Sequence, residues 1–391
     1  MKILVVTFRF PHPPLKGDQV RFFNQIKRFS ENNEVHLASA TKKSVSEESM
    51  RIVRRYCKGV KVVRVSSVWT LISSALDFLV RGRSINEAYF YGEKFKRVVN
   101  RVAQNVDPDI IHCCMVRTAQ FGFQFSGGKT SIDFIDALSL NLERKIEQSS
   151  LWKRWFWRTE RRRIEASERK ALEYFDHSFV TSEVDKNYLK EQKIRNEPTI
   201  VPNGVDLQKF SPAGFDKRAS RELIFTGNMS YAPNVKAVTY FVEEVLPLVR
   251  KKFPDVTFRI AGAEPTRAVS RLDQHEGVEV LGFVDSIAEC LQHATISVCP
   301  LQSGAGIQNK VLEAMATGTP VVATPIAVEG IPGGEDGVHY VVGDEAKEFA
   351  AHVSDLLTRS DFRIRLGDQA RQFMEENYTW EAQVDKMLEK F

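Results

Sequence analysis

Cysteine is scarce in this chain. Its 391 residues include Cys57, Cys113, Cys114, Cys290 and Cys299, and no two of these form a Cys-x-x-Cys motif. An odd number of cysteines without that spacing indicates neither a disulfide framework nor a zinc site. We therefore expect reduced thiols, a cytoplasmic location and no structural metal.

Long apolar runs are also missing. The run Met1 to Phe8 has the length of one strand, and no small-residue cleavage pattern follows it, so it does not read as a signal peptide. A second run, Val68 to Val80, contains Asp77 and is shorter than the roughly 20 residues that a spanning helix needs. We expect no segment of this chain to cross a membrane.

Length and composition favour a globular protein with two domains. Apolar residues make up 43% and charged residues 27% of the chain, which is typical of folded soluble domains. A chain of 391 residues is too long for one ordinary core and suits two domains of roughly 170 to 200 residues each.

Short β-branched runs alternate with helix-patterned segments along the whole chain. This alternation indicates α/β domains with parallel sheets, and we expect two Rossmann-like domains. The predicted strands are Ile3 to Phe8, Val35 to Ser39, Val60 to Val65, Ile110 to Cys113, Ser131 to Ile135, Ser178 to Thr181, Leu223 to Thr226, Thr257 to Ala261, Val278 to Gly282, Thr295 to Pro300, Pro320 to Thr324 and His339 to Val342.

The join between the domains is expected at the turn in Val201 to Asp206, where Pro202 precedes the dipeptide Asn203-Gly204. Residues 1–203 then form the first domain and residues 204–377 the second. Residues 378–391 are predicted to form a separate helix that packs back on the first domain, with Thr379 as a possible cap.

The segment Gly304 to Met315 carries the clearest functional pattern. Gly304 and Gly306 are predicted to open a helix, with Lys310 one turn in and Glu313 three residues later on the same helix face. Amide groups at a helix start attract phosphate oxygens, and glycine lets them approach closely. The pattern suits a nucleotide diphosphate, with Lys310 for its phosphates and Glu313 for the ribose hydroxyls. Glycines before an amphipathic helix also occur for structural reasons alone.

The chain resembles the retaining GT-B glycosyltransferases of glycosyltransferase family 4 over nearly its whole length. The resemblance rests on the order and spacing of several short motifs, which are Phe8-Arg9-Phe10-Pro11 with Gly17-Asp18, Ile200 to Asp206 with Phe210, Phe225 to Met229, Ile260 to Ala263, Gly282-Phe283-Val284 and Lys310 to Thr324. It implies a GT-B fold, in which two Rossmann-like domains face each other across a cleft, and a nucleotide-sugar donor such as a UDP or GDP sugar.

The resemblance also assigns binding roles. It implies that the C-terminal domain holds the donor, with Glu313 on the ribose, Gly262 and Phe283-Val284 beside the base, and Gly17 approaching the diphosphate from the other domain. The residues expected to contact the donor are Gly17, Gly227, Asn228, Gly262, Phe283, Val284, Gly304, Gly306, Ile307, Gln308, Lys310 and Glu313.

Four positions depart from the family pattern. Many members carry a glutamate at the position of Ala305, an arginine at Asn228 and a lysine at Pro233, and Cys114 replaces a frequent histidine. Lys310 is therefore our candidate to neutralise the leaving diphosphate, whose negative charge grows in the transition state.

First-domain residues supply further candidates. Arg9, Arg21 and Arg117 follow predicted strands or start helices and are possible phosphate or acceptor contacts, although a structural ion pair would explain each of them equally well. Asp136 follows a predicted strand and is a candidate to face the acceptor, or alternatively a helix-start carboxylate.

No metal or other cofactor is expected. Asp107-Pro108-Asp109 has the Asp-x-Asp spelling of some metal sites but precedes a predicted strand, so we interpret it as a turn.

The segment 151–170 combines aromatic residues with eight basic and three acidic residues. As a helix it places Trp157, Ile164, Ala171 and Phe175 on one stripe, which suits burial. The opposite side carries Trp152, Trp155 and Phe156 with Arg162 and Arg163. That side fits an anionic membrane surface, or simply a packed helix with solvated arginines. No nucleic-acid fold accompanies it, so no nucleic-acid partner is expected.

The leading hypothesis is an enzyme that moves a sugar, with retention of configuration, from a nucleotide-diphosphate sugar to a lipid-linked or polysaccharide acceptor at the inner membrane face. Two alternatives stay open, a nucleotide-sugar epimerase of the same fold and a non-catalytic nucleotide-sugar-binding protein.

Overall fold

The computed structural model describes residues 1–65, 84–85, 92–147, 149–191, 196–214, 218–304 and 306–391. The apolar run 68–80 and Ala305, both singled out from the sequence, lie outside these residues. The chain forms two compact units. The first comprises Met1–Pro202 together with Gln383–Phe391, and the second comprises Asn203–Ala382.

The first unit is built on a parallel sheet with strand order β3-β2-β1-β4-β5-β6-β7 over the described part of the chain. Consecutive residues of β1 from Ile3 to Val6 are fully buried, so both faces of the sheet are covered. The strands are β1 Lys2–Thr7, β2 Glu34–Thr41, β3 Gly59–Arg64, β4 Ile110–Cys114, β5 Lys129–Ile135, β6 His177–Val180 and β7 Thr199–Ile200.

Amphipathic helices cover this sheet. In the first of them Phe22, Ile26 and Phe29 recur at helical spacing and are all buried. Among its described residues, the helices of the first unit are α1 Gly17–Phe29, α2 Glu47–Val53, α3 Glu93–Val106, α4 Ala119–Gly122, α5 Leu138–Glu147, α6 Leu151–Tyr174 and α7 Glu183–Lys190, with a 3₁₀ turn at Val116–Thr118.

The second unit has its own parallel sheet, with order β10-β9-β8-β11-β12-β13 among the described residues. Its core is continuous and includes Ile224, Phe258, Val298 and Val322 from four different strands. The strands are β8 Glu222–Thr226, β9 Thr257–Ala261, β10 Val278–Gly282, β11 Ile296–Cys299, β12 Val321–Ala323 and β13 Val341–Val342.

The helices of the second unit are α8 Ala232–Tyr240, α9 Leu246–Arg250, α10 Arg267–Leu272, α11 Ile287–His293, α12 Asn309–Ala316, α13 Pro325–Val328, α14 Ala346–Thr358 and α15 Ser360–Asn377. One π-helical segment, Phe241–Val245, connects α8 to α9.

The last helix, α16 Trp380–Leu388, begins in the second unit and ends in the first. Its cap is the predicted one, since Oγ1 of Thr379 accepts the backbone N–H of Ala382 at 3.1 Å. Arg28 donates to both carboxylate oxygens of Asp385 at 2.8 and 2.7 Å, which joins this end of the chain to α1.

Every predicted strand is present to within two residues at either end. The sequence missed β7, because a strand of two residues is too short to show an alternating pattern. No helix among the described residues has the length and apolar character needed to cross a membrane.

Arg21 is part of the first core. Its side chain is 1% exposed, and its guanidinium donates to Asp133 through Nε at 2.6 Å and Nη2 at 3.1 Å. Gln25 also donates to Asp133, at 2.5 Å. The prediction that Arg21 contacts a phosphate or an acceptor is therefore wrong, because its donors are used inside the sheet–helix packing.

We expect Arg21→Met to destabilise the first unit by about 3 to 5 kcal/mol, because it leaves the Asp133 carboxylate buried without its counter-charge. Urea denaturation measures this loss. The matched control is Arg221→Met, which breaks an ion pair whose partners are both exposed and should change the midpoint far less. Equal losses in the two variants would contradict a structural role for the buried pair.

Candidate functional site

The second sheet changes direction between β8 and β11. The chain runs outward from β8 through β9 to β10, and then returns to place β11 on the other side of β8. Loops that leave neighbouring strands in opposite directions open a crevice at the carboxyl edge of the sheet, which is the usual ligand site of such folds. The loop after β8 begins at Gly227, and the segment after β11 leads into α12.

Helix α12 begins later than predicted. It starts at Asn309, so Gly304 and Gly306 lie in the preceding loop, and Lys310 is the second residue of the helix. The reason is the backbone of Gly306, whose φ of 66° is left-handed and cannot belong to a right-handed helix. A Cβ atom on Gly330 would lie 2.8 Å from the Gly306 carbonyl carbon, so Gly330 lets this loop pack closely.

The Lys310 side chain lies across the crevice at the end of β8. Its Nζ donates to Oδ1 of Asn234 at 2.6 Å and stands 4.8 Å from the centre of the Phe225 ring. A Cβ atom on Gly227 would lie 3.4 Å from Lys310 Cε, so the lysine packs on the glycine backbone. Burial lowers the pKa of Lys310, and nearby Cys299 and Glu313 partly offset this.

Glu313 lies one turn further along α12, three residues from Lys310, so the two share a helix face as predicted. Burial raises the pKa of its carboxyl to about 7, against the opposing effect of Lys209 and Lys310. Near neutral pH this group can therefore exist in either protonation state. A partly buried carboxyl with a raised pKa at a sheet edge is a candidate ligand-binding group.

Three loops at this edge are joined by backbone hydrogen bonds. Gly227 donates to the Ala261 carbonyl at 3.0 Å, and Gly262 donates to the Gly282 carbonyl at 2.7 Å. A Cβ atom on Gly262 would lie 1.7 Å from the Gly227 carbonyl oxygen, so only glycine fits there. This packing by itself accounts for Gly262, whereas its predicted place beside a base stays a prediction.

The remaining predicted donor residues line the same edge. Phe283 is 69% exposed and Val284 is half-buried, which leaves the Phe283 ring accessible to a ligand. Asn228 donates to Glu264 at 3.2 Å and accepts from Ser230. Ile307 and Gln308, in the loop before α12, are half-buried.

The first sheet has a direction change of its own, between β1 and β4. The Phe8 ring follows β1 and lies 5.3 Å from the Arg9 guanidinium and 4.8 Å from that of Arg117. Arg9 also donates to Asp18 at 2.6 Å. Two predicted arginines thus meet at the carboxyl edge of the first sheet, and Gly17, the residue before Asp18, is the exposed first residue of α1.

Asp136 belongs to a group of acidic side chains that the sequence did not reveal. Burial and the neighbouring Asp185 raise its pKa to about 6, while a hydrogen bond from Asn141 at 2.7 Å opposes this shift. Burial raises the pKa of Glu168, on α6, to about 8, and the Ser139 backbone N–H donates to it at 3.1 Å. A carboxyl with a pKa near 6 is poised to exchange protons close to neutral pH.

Helix α6 has the two different sides that its sequence predicts. Of the predicted buried stripe, Ile164, Ala171 and Phe175 are buried but Trp157 is only half-buried, with the Lys145 ammonium 3.6 Å from its ring centre. On the other side, Trp152 and Trp155 are 76% and 71% exposed. The other predicted surface residues are exposed or half-buried, namely Phe156, Arg162 and Arg163. The buried side is not purely apolar, since Glu160 and Glu168 also lie on it.

The Asp107-Pro108-Asp109 segment ends α3. Asp107 adopts a left-handed conformation with φ of 49°, and Asp109 accepts the backbone N–H of Lys2 at 2.7 Å, as expected for a turn before β4. Over the described ranges, no three His, Cys, Asp or Glu side chains come together in a way that would hold a metal ion.

Two residues of the second-unit site were missed from the sequence. Asn234 contacts Lys310, and Lys209 is close enough to Glu313 to lower its pKa. An asparagine directly after Pro233, in the turn that opens a helix, was the only sequence signal for the first of them. Lys209 carried no signal.

Comparison with known proteins shows what this chain resembles. Residues 220–359 match the family model of glycosyl transferases group 1. An uncharacterized 44.6 kDa protein in the cps region of Klebsiella pneumoniae is 23% identical over 96% of each chain. A phosphatidyl-myo-inositol mannosyltransferase of Mycobacterium tuberculosis is 32% identical over 34% of this chain and 37% of its own.

The fold has solved counterparts. The crystal structure of HepE from Anabaena, determined in complex with UDP and glucose, matches with a TM-score of 0.69 at 14% identity and covers 99% of this chain and 98% of its own. The architecture is therefore GT-B, with two parallel-sheet α/β domains. The fold and the family match together support a glycosyltransferase of group 1.

We expect the ionised carboxylate of Glu313 to lower the stability of the folded protein, and Glu313→Gln tests this expectation. A folded-state pKa of about 7, above the ordinary value of 4.5, means that the folded protein loses stability as the pH rises between those values. We expect the variant to unfold at a higher temperature than wild type at about pH 8, and to lose this advantage at about pH 5. Scanning calorimetry at both pH values measures the difference. Glu376→Gln, at an exposed position of α15, is the matched control, and the same pH dependence in both variants would contradict the burial of Glu313.

Proposed function

We propose that this protein transfers a sugar from a UDP or GDP sugar to a lipid-linked or polysaccharide acceptor with retention of configuration. One observation carries the proposal. Lys310 and Glu313 share a face of α12, and the Lys310 ammonium reaches the end of β8, where the second sheet changes direction.

The donor is bound by the second unit in this proposal. The diphosphate lies at the start of α12, where helix amides and the Lys310 ammonium meet its negative charge. Glu313 accepts hydrogen bonds from the ribose hydroxyls in its ionised form. The exposed Phe283 ring, at the far end of the same edge, offers a surface for the base. The bound UDP in the HepE structure supports a uridine nucleotide as the first donor to test.

The reaction in this proposal is the one that the family resemblance implies. The bond between the anomeric carbon and the diphosphate oxygen breaks, and the acceptor oxygen forms its bond on the same face of the sugar. The acceptor proton passes to the leaving phosphate oxygen. Negative charge grows on the diphosphate as this bond breaks, so the Lys310 ammonium binds the transition state more tightly than the ground state. No metal is required in this scheme.

The acceptor is bound by the first unit in this proposal. Arg9, Arg117 and Asp136 stand at the carboxyl edge of its sheet and offer both charge signs to hydroxyl or phosphate groups. The name of one relative, a phosphatidyl-myo-inositol mannosyltransferase, supports the lipid-linked acceptor.

Product analysis tests this function. The purified protein is incubated with UDP or GDP sugars, a lipid or glycan acceptor and EDTA, and the products are separated and analysed by NMR. We expect a new glycoside with the anomeric configuration of the donor. Conversion of the free nucleotide sugar would identify an epimerase, and binding without turnover would identify a sensor, so either result overturns the proposal.

Lys310→Ala and Glu313→Ala are each expected to weaken binding of UDP or GDP by about tenfold or more, since a charged hydrogen bond contributes about 1.5 to 3 kcal/mol. Isothermal calorimetry measures the affinity. Lys251→Ala, at an exposed position after α9, is the matched control and should bind like wild type. If neither Lys310→Ala nor Glu313→Ala changes the affinity for UDP or GDP, the diphosphate does not bind at this position.

We further propose that α6 docks the enzyme on an anionic membrane surface, where a lipid-linked acceptor is found. The exposed Trp152 and Trp155 rings can enter the headgroup region, while basic residues on the same side attract anionic lipids. Each such residue close to the surface contributes about 1 kcal/mol. A helix of 24 residues, about 36 Å long, is anchored by its buried side and exposes Trp152 and Trp155 near its start.

Replacing both Trp152 and Trp155 with alanine is expected to reduce sedimentation with phosphatidylglycerol vesicles several-fold while leaving the fold intact, because both rings are largely solvent-exposed. Tyr174→Ala is the matched control, since this aromatic residue is 43% exposed on the same helix but about 33 Å from Trp152. Sedimentation equal to wild type in the double variant would overturn membrane docking through this side of α6.

A further inference from the structure

Asn234 connects two parts of the candidate site that come from different elements. Its side chain is 4% exposed, and it lies in the first turn of α8, just after Pro233. Its Oδ1 accepts from Lys310 Nζ at 2.6 Å, and its Nδ2 donates to the Asn228 carbonyl at 2.9 Å. One amide thus holds the lysine of α12 and the loop after β8 together.

The second hydrogen bond determines how the amide is oriented. A carboxamide presents an acceptor on one side and a donor on the other. Because the Asn228 carbonyl can only accept, Nδ2 must face it, and this leaves Oδ1 facing Lys310. The amide oxygen is therefore fixed toward the ammonium before any ligand arrives.

The lysine needs such a partner. Its ammonium lies over the Phe225 ring, its Cε packs against Gly227, and the residue is half-buried. An ammonium group without a hydrogen-bond acceptor in such surroundings either turns away or loses its proton. Either outcome would remove the positive charge from the end of β8.

We propose that Asn234 is a positioning residue that acts on the nucleotide diphosphate through Lys310, by holding its ammonium at the crevice between β8 and β11. The inference deepens the proposed function and rests on it for the identity of the ligand. Asn234 itself needs no contact with the nucleotide in this arrangement.

A double-mutant cycle with UDP as the probe tests this relation. Asn234→Leu is expected to weaken UDP binding by about tenfold in the wild-type background, and by less than about twofold when Lys310→Ala is already present. Equal losses in the two backgrounds would overturn the proposal, because Asn234 would then act independently of the lysine. Asn33→Leu is the matched control, since this asparagine also donates to a backbone carbonyl but lies before β2 at the amino edge of the first sheet.

Titration of Lys310 gives a readout that does not depend on nucleotide binding. The ¹³Cε shift of Lys310 is followed by NMR in protein labelled at lysine. Asn234→Leu is expected to lower the Lys310 pKa further, whereas Asn234→Asp keeps an acceptor oxygen and should raise it. The other titratable or charged groups that act on this lysine are Cys299 at the end of β11 and Glu313 on α12, with Lys209 beyond Glu313, and they are unchanged in both variants.

The two measurements separate the possible failures. If wild-type protein binds neither UDP nor GDP, the proposed donor site is wrong, and the titration still decides the role of Asn234. If both Asn234 variants titrate like wild type at Lys310, the positioning role is wrong even where nucleotide binds. Should Asn234→Leu fail to fold, Asn234→Asp tests the same role. A raised Lys310 pKa in this variant supports the positioning role. Weaker UDP binding with an unchanged Lys310 pKa would overturn it, because only the contact with Asn228 would then matter.

Discussion

The placement of one ammonium group is the constraint on which the candidate site depends. Lys310 reaches the end of β8 only because the second sheet places β11 beside β8, which brings the start of α12 to the loop at Gly227. Burial makes the charged form of this lysine costly, and a hydrogen bond from the ammonium to Asn234 offsets part of that cost. Through Asn234, the ammonium is linked to the loop that contains Asn228.

Buried charges in this protein are of two kinds. Arg21 and Asp133 satisfy each other inside the first core, and their geometry leaves no room for a ligand. Glu313, Asp136 and Glu168 instead have pKa values raised by burial, so their ionised forms cost stability. Glu313 and Asp136 lie at the carboxyl edges of their sheets, where ligands bind in such folds, whereas Glu168 lies within α6 and is hydrogen-bonded to Ser139.

Helix α6 connects the interior of the first unit to its surface. Its buried side contributes Glu168 to the acidic group that contains Asp136, while its outer side exposes Trp152 and Trp155. One helix thus carries both a member of the acidic group around Asp136 and the side that we propose to dock on lipid.

The sequence by itself determined the two α/β domains and nearly all of their strands, because β-branched runs and turn residues act over a few neighbouring positions. It also placed Lys310 and Glu313 on one face of a helix, since residues three apart on a helix share a face. Only the tertiary structure decided that α12 begins at Asn309, that Arg21 pairs with Asp133 across 112 positions and that Asn234 meets Lys310 across 76. Those contacts depend on the order of the strands in each sheet. A local pattern of residues does not predict this order, so it cannot predict which distant residues meet.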